Sequence, residues 1–183
     1  MKRHGLGSGK ELYAEFIARV TNYVLSKKRI PIVWEGFSKD AAHLISRDVV
    51  VMAWESEYYL PDKLVEDGFT VINCAWKPLY IVPGAPDWKA VDIMNWNVYN
   101  FQNFAKHSPA TLNPFNLQPT EKIIGAQLCA WEAPFEYEIN FVIENLAALS
   151  ERVWSVERQC SDEEFVKKFR VLQKKVFRLI QER

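Results

Sequence analysis

Four stretches of the chain are apolar without alternation: "IPIVWE" from Ile30, "DVVVMAWE" ending at Glu55, "FTVINCAW" ending at Trp76 and "IIGAQLCAWE" ending at Glu132. Unbroken runs rich in Val and Ile read as strands buried on both faces, the pattern of a parallel sheet. Between and around them the period changes to that of helices. Leu12, Phe16, Ile17, Val20, Tyr23 and Val24 predict a helix from about Lys10 to Ser26, opened by a capping-box pair, Ser8 and Glu11, and closed by Lys27 and Lys28. Short helical stretches are expected at Asp40 to Ile45 and Pro61 to Asp67, and an aromatic insertion runs from Pro83 to Thr120. Ile139, Val142, Ile143, Leu146, Leu149 and Val153 mark a helix ending near Trp154. A last one starts at Ser161 with Glu164 as capping partner and continues through Phe165, Phe169, Leu172, Val176 and Ile180. Helix, then strand and helix in repetition, is the order that consecutive parallel strands require.

Composition narrows the class. With 183 residues, 49% hydrophobic and 25% charged, the chain can bury a sizeable core, and one compact unit, 1–183, is the expected organisation. Lys plus Arg equals Asp plus Glu, so no nucleic-acid or anionic-membrane partner is expected. No apolar run approaches the roughly 20 residues of a membrane span, and "MKRHGLGSGK" has no apolar segment behind its charges, which predicts a cytoplasmic chain. Cys74, Cys129 and Cys160 lack metal-ligand spacing, and Cys74 and Cys129 read as small buried hydrophobes. His4, His43 and His107 are scattered and read as surface or helix-end residues, so neither metal nor cofactor is expected.

Three of the four runs close on Trp followed by Glu: Trp34-Glu35, Trp54-Glu55 and Trp131-Glu132; the fourth closes on Trp76. In parallel α/β folds the loops at the carboxyl ends of strands converge on the functional face. An indole there offers a platform for the C–H face of a pyranose, and a carboxylate accepts hydrogen bonds from its hydroxyls. The alternative is that the indoles cap the core and the glutamates are solvated or ion-paired. Spacing selects no pair of Glu35, Glu55 and Glu132 as acid and nucleophile.

The ordered motifs "RHGL", "ELYAEFIARV", "RIPIVWEGF", "VVVMAWES", "GFTVINCAWKPLYIVP", "WNVYNF", "IIGAQLCAWE" and "ALSERVW" resemble glycoside hydrolase family 20, the β-N-acetylhexosaminidases, from about His4 to Trp154. The resemblance is to the C-terminal half of the catalytic (β/α)8 barrel, about four β/α units. It implies an α/β half-barrel over residues 1–155, with a C-terminal helix in 156–183. The family mechanism is substrate-assisted: the 2-acetamido oxygen attacks the anomeric carbon, a Glu serves as acid then base, and the preceding Asp orients the acetamido group. That Asp-Glu pair stands on the fourth strand, before the matched region, so the chain alone is expected to lack the general acid.

What the resemblance carries over is binding. Trp34, Trp54 and Trp131 match the aromatic walls of the N-acetylhexosamine pocket, Trp76 is a looser match, and Tyr80 matches the Tyr that hydrogen-bonds the acetamido oxygen during catalysis. Two departures stand out. Glu132 follows Trp131 directly where the family commonly interposes one residue, and Val82 stands where many members have Asp. The expected partner is an N-acetylhexosamine-containing glycan, and a half-barrel with open strand edges is expected to associate with itself or with the missing N-terminal half. A non-catalytic sugar-binding half-barrel and a generic α/β small-ligand domain are the alternatives; the latter lacks any GxGxxG or P-loop turn.

Overall fold

The structure, a computed structural model, describes residues 7–82, 84, 86, 88–155, 157 and 160–181, excepting the side chains of 144, 180 and 181. His4 and the Ile180 side chain, used in the reading above, lie outside these. In chain order the elements are α1 (Gly9–Ser26), β1 (Ile32–Trp34), β2 (Val50–Ala53), α2 (Pro61–Glu66), β3 (Thr70–Asn73), α3 (Trp76–Leu79), β4 (Tyr80–Ile81), α4 (Ala90–Met94), β5 (Asn100–Phe101), β6 (Phe115–Asn116), β7 (Ile123–Ala126), β8 (Cys129–Ala130), α5 (Phe135–Trp154) and α6 (Asp162–Gln181). Short 3-10 turns at Lys39–Leu44 and Pro109–Thr111 complete the set. From α1 to β5 strand and helix alternate as expected of a (β/α) barrel segment, with a 3-10 turn joining β1 to β2. The chain divides into two compact units, one of residues up to Lys77 with Tyr99–Gly125, the other of Pro78–Val98 with Ala126–Arg183.

In the first unit β1, β2, β3 and β7 form one sheet in that order, with β1–β2 and β2–β3 parallel. All four residues of β2 are buried, which is why the "VVMA" run shows no polar alternation. Phe37, Tyr59 and Phe69, all buried, pack with ring centroids 5.7–6.0 Å apart. The Arg47 guanidinium covers the Phe69 ring at 4.1 Å and donates to the carbonyls of Ala42, Ile45 and Asp67, closing the unit around that cluster.

Helix α1 starts where predicted: Ser8 Oγ accepts from Glu11 N at 3.2 Å. The return bond differs, because the Glu11 carboxylate takes Gly7 N at 2.6 Å instead of Ser8 N. The buried face is also a different one from the large apolar stripe. Ala14, Ala18 and Thr21 are buried, while Leu12, Phe16, Val20 and Tyr23 are 42–65% exposed on the opposite side. Small residues allow close approach on the inner face, and the outer face remains apolar. A helix apolar on two sides is a helix built to be sandwiched.

In the second unit β4 and β8 pair in parallel, Tyr80 opposite Cys129 and Ile81 opposite Ala130. The run "IIGAQLCAWE", read as one strand, is two: it breaks at Gln127 and Leu128, just after Gly125 with φ of +150°, a conformation that only Gly adopts without strain. The core holds Leu79, Ile93, Met94, Trp96, Ala148, Leu149 and Phe165, so α5 is sandwiched by α4 and the start of α6. Arg152, 8% exposed, donates from Nε to the Trp96 carbonyl at 2.9 Å, so backbone holds one of the donors of this buried cation. The capping box of α6 is complete, with Glu164 N to Ser161 Oγ at 3.3 Å and Ser161 N to Glu164 Oε2 at 3.2 Å. Cys74 and Cys129 are buried and unbridged, as expected of small core residues.

Candidate functional site

The carboxyl ends of the strands deliver the aromatic residues, as parallel topology requires. Trp34 is the last residue of β1, Trp54 follows β2, Trp76 opens α3 three residues beyond β3, and Trp131 follows β8. Within the first unit three of them touch in a row. Trp34 and Trp54 meet edge to face at 5.8 Å, Trp54 and Trp76 are tilted at 38° with centroids 6.2 Å apart, and Trp76 continues onto Phe104 at 5.1 Å and the His107 ring at 6.2 Å. All three indoles keep part of their surface exposed. Tyr80 and Trp131 belong to the second unit. Because Tyr80 pairs with Cys129, two residues before Trp131, the two side chains leave the ladder on the same face. Tyr80 is buried and Trp131 is 47% exposed.

The three Trp-Glu doublets use their glutamates differently. Glu35 is 3% exposed and turned inward, where its carboxylate accepts four backbone N–H groups: Ser56 at 3.0 Å on one oxygen, and Glu57, Tyr58 and Tyr59 at 2.9–3.2 Å on the other. Trp54 Nε1 donates to the Glu35 carbonyl at 2.9 Å. Glu35 is thus the anchor of the 56–59 loop, and its role is structural. Burial pushes its pKa above the usual carboxylate range, and the four N–H donors offset that only in part. Ser56 holds φ of +56° to complete the wrap, and the Tyr59 hydroxyl donates to Asp67.

Glu55 instead lies at the edge of the indole row, beside His107. Imidazole Nε2 is 3.5 Å from Glu55 Oε1 and 3.6 Å from Glu57 Oε2. His107, read from spacing as an isolated surface residue, is brought here by the segment after β5, which two side chains fasten. Asn103 Nδ2 donates to the carbonyls of Trp54 and Glu55 at 3.2 and 3.1 Å, and Ser108 Oγ donates to the Glu55 carbonyl at 2.5 Å. Spacing could not have found these, since the partners are 48–53 residues apart. Glu132 is exposed, with φ of +60°, where the chain leaves β8.

Parallel strands joined by helices, with aromatic residues at their carboxyl ends, are the arrangement of a (β/α) barrel segment. Residues 1–157 match the model of the catalytic domain of glycosyl hydrolase family 20. The chain belongs to that family, whose members are β-hexosaminidase-type glycoside hydrolases. It is 21% identical over 164 residues to beta-hexosaminidase subunit beta of Entamoeba histolytica and 23% identical over 168 residues to lacto-N-biosidase of Bifidobacterium bifidum. Each comparison covers 86% of this chain, but only 28% and 14% of those proteins. Among solved structures, dispersin B superposes with a TM-score of 0.63 at 18% identity, over 81% of this chain and 49% of the other. A β-N-acetylhexosaminidase from Bacteroides fragilis gives 0.67 at 20% identity, over 98% and 36%. The chain therefore spans half or less of the relatives it matches. Among the described residues no helix is long and apolar enough to cross a membrane.

Proposed function

We propose that this chain is the C-terminal portion of a β-N-acetylhexosaminidase-type barrel, supplying the walls of an N-acetylhexosamine pocket. The observation that carries the proposal is the row Trp34–Trp54–Trp76 at consecutive strand ends in a family 20 chain. Indole faces of the first unit take the apolar side of the sugar; in the second unit the family resemblance gives Trp131 the part of a wall, Glu132 that of a hydroxyl acceptor and Tyr80 that of the acetamido donor. The resemblance puts the Asp-Glu pair of the family mechanism on a strand before the matched region, so in this reading hydrolysis requires the strands that carry it. The test is hydrolysis of a chromogenic N-acetylglucosaminide by this chain with and without a polypeptide supplying the N-terminal half. Turnover is expected only with both, and turnover by the chain alone would overturn the reading.

Pairing follows from the same proposal. The outer stripe of α1, Leu12, Phe16, Val20 and Tyr23, and the outermost strand β1, with Ile32 56% exposed, present apolar surface where a complete barrel continues. In isolation the chain is expected to self-associate through this surface. Light scattering after size exclusion should give more than one chain mass, and Phe16→Glu with Val20→Glu should return the monomer. A wild-type chain that stays monomeric on dilution would refute the pairing surface.

A further inference from the structure

We infer that Glu55, Glu57 and His107 form a divalent transition-metal site that clamps the loop after β2 to the segment after β5. Three side chains each offer one donor atom, and the three atoms lie within 4.8 Å of one another. The separations fit an ion pair or a ligand set better than a direct hydrogen bond. An N–H to carboxylate bond closes to about 2.7–3.2 Å, whereas Nε2 stands 3.5 and 3.6 Å from its two oxygens. Ligands about 2.0–2.1 Å from a tetrahedral ion are separated by about 3.3–3.4 Å along each edge. The two edges from His107 are close to that spacing, and the two carboxylate oxygens, within 4.8 Å of each other, need only a small side-chain adjustment to complete the shell.

The site is also held in place before any ion arrives. Glu55 has only 13% of its side chain exposed, and His107 is its sole polar side-chain partner among the described residues. Its backbone carbonyl is fixed by Asn103 and Ser108, the residues flanking His107. The imidazole stands edge-on to Trp76 at an interplanar angle of 87°, which limits its rotation. Glu57 is positioned by its own N–H, bonded to the buried Glu35 carboxylate. One imidazole with two carboxylates suits Zn²⁺ better than Ca²⁺ or Mg²⁺, which favour oxygen-only shells. Three protein ligands leave a fourth position for water or another oxygen ligand.

The inference needs only the first unit and is independent of the proposed sugar pocket. Calorimetric titration of the EDTA-treated full chain with ZnCl2 should show one equivalent bound, with Ca²⁺ and Mg²⁺ at least tenfold weaker. His107→Ala and Glu57→Gln should each weaken Zn²⁺ at least tenfold, and His43→Ala should leave it unchanged. The sequence contains 3 histidines, so side-chain ¹⁵N spectra of the wild-type chain report coordination directly even should a variant fail to fold. A Zn²⁺-induced shift of the His107 ring nitrogen is expected. An unshifted His107, or undiminished binding by folded His107→Ala, would overturn the site.

Discussion

Glu35→Ala is expected to destabilise the chain by about 3–4 kcal/mol, the largest effect of any single substitution outside the apolar core. The mutation orphans four N–H groups, of which those of Ser56 and Tyr59 belong to buried residues that water cannot reach. Each buried orphan costs about 1–3 kcal/mol, and the donors of Glu57 and Tyr58 recover part of their loss from solvent. Glu35→Gln should cost only about 1–2 kcal/mol. Its carbonyl oxygen can still accept from Glu57, Tyr58 and Tyr59, leaving only Ser56 N–H facing an NH2 group. Urea denaturation of the three chains checks the order. The pH dependence has a definite sign. The folded-state pKa of Glu35 is raised by burial, so its contribution is fully present below the ordinary glutamate range and is lost as pH rises through the raised value. Wild type should therefore lose stability relative to Glu35→Gln with increasing pH; a gain would mean that the N–H donors outweigh desolvation.

The second large effect is on sugar binding. Trp54 is the middle indole of the row and touches both Trp34 and Trp76. Trp54→Ala should weaken N-acetylglucosamine binding by at least tenfold, about 1.4 kcal/mol, as read by tryptophan fluorescence. The same change removes the bond from Nε1 to the Glu35 carbonyl and should cost about 2–4 kcal/mol of stability. Trp54→Phe helps separate the two, because it keeps an aromatic face while losing the N–H and part of the indole's area. Trp154→Phe, at a side chain 86% exposed on α5, is the fluorescence control and should leave the titration unchanged. Binding unaffected by Trp54→Ala would remove the row from the proposed pocket.

What could be read from the chain, and what could not, divides along the range of the interactions. The runs at β1, β2 and β3 and the helices α1, α5 and α6 follow from local period and capping, and a buried parallel strand such as "VVMA" announces itself by the lack of polar positions. The strands β5 and β6, two residues each inside the aromatic insertion, are too short to have a period. The break between β7 and β8 turns on one Gly in an otherwise apolar run. Repetition of Trp-Glu suggested three equivalent glutamates, whereas their environments are set by partners distant in sequence: Glu35 by a loop 21–24 residues on, Glu55 by a histidine in a different segment. The outward stripe of α1 was legible as a helix but its direction was not. Periodicity reports an apolar face without saying which neighbour covers it.

That helix has a consequence for the life of the polypeptide. A solvent-facing ladder of Leu12, Phe16, Val20 and Tyr23 is the kind of surface that chaperones hold and proteases clear, so making that face polar with Phe16→Glu and Val20→Glu should lengthen the half-life of any form of the chain in which it is uncovered.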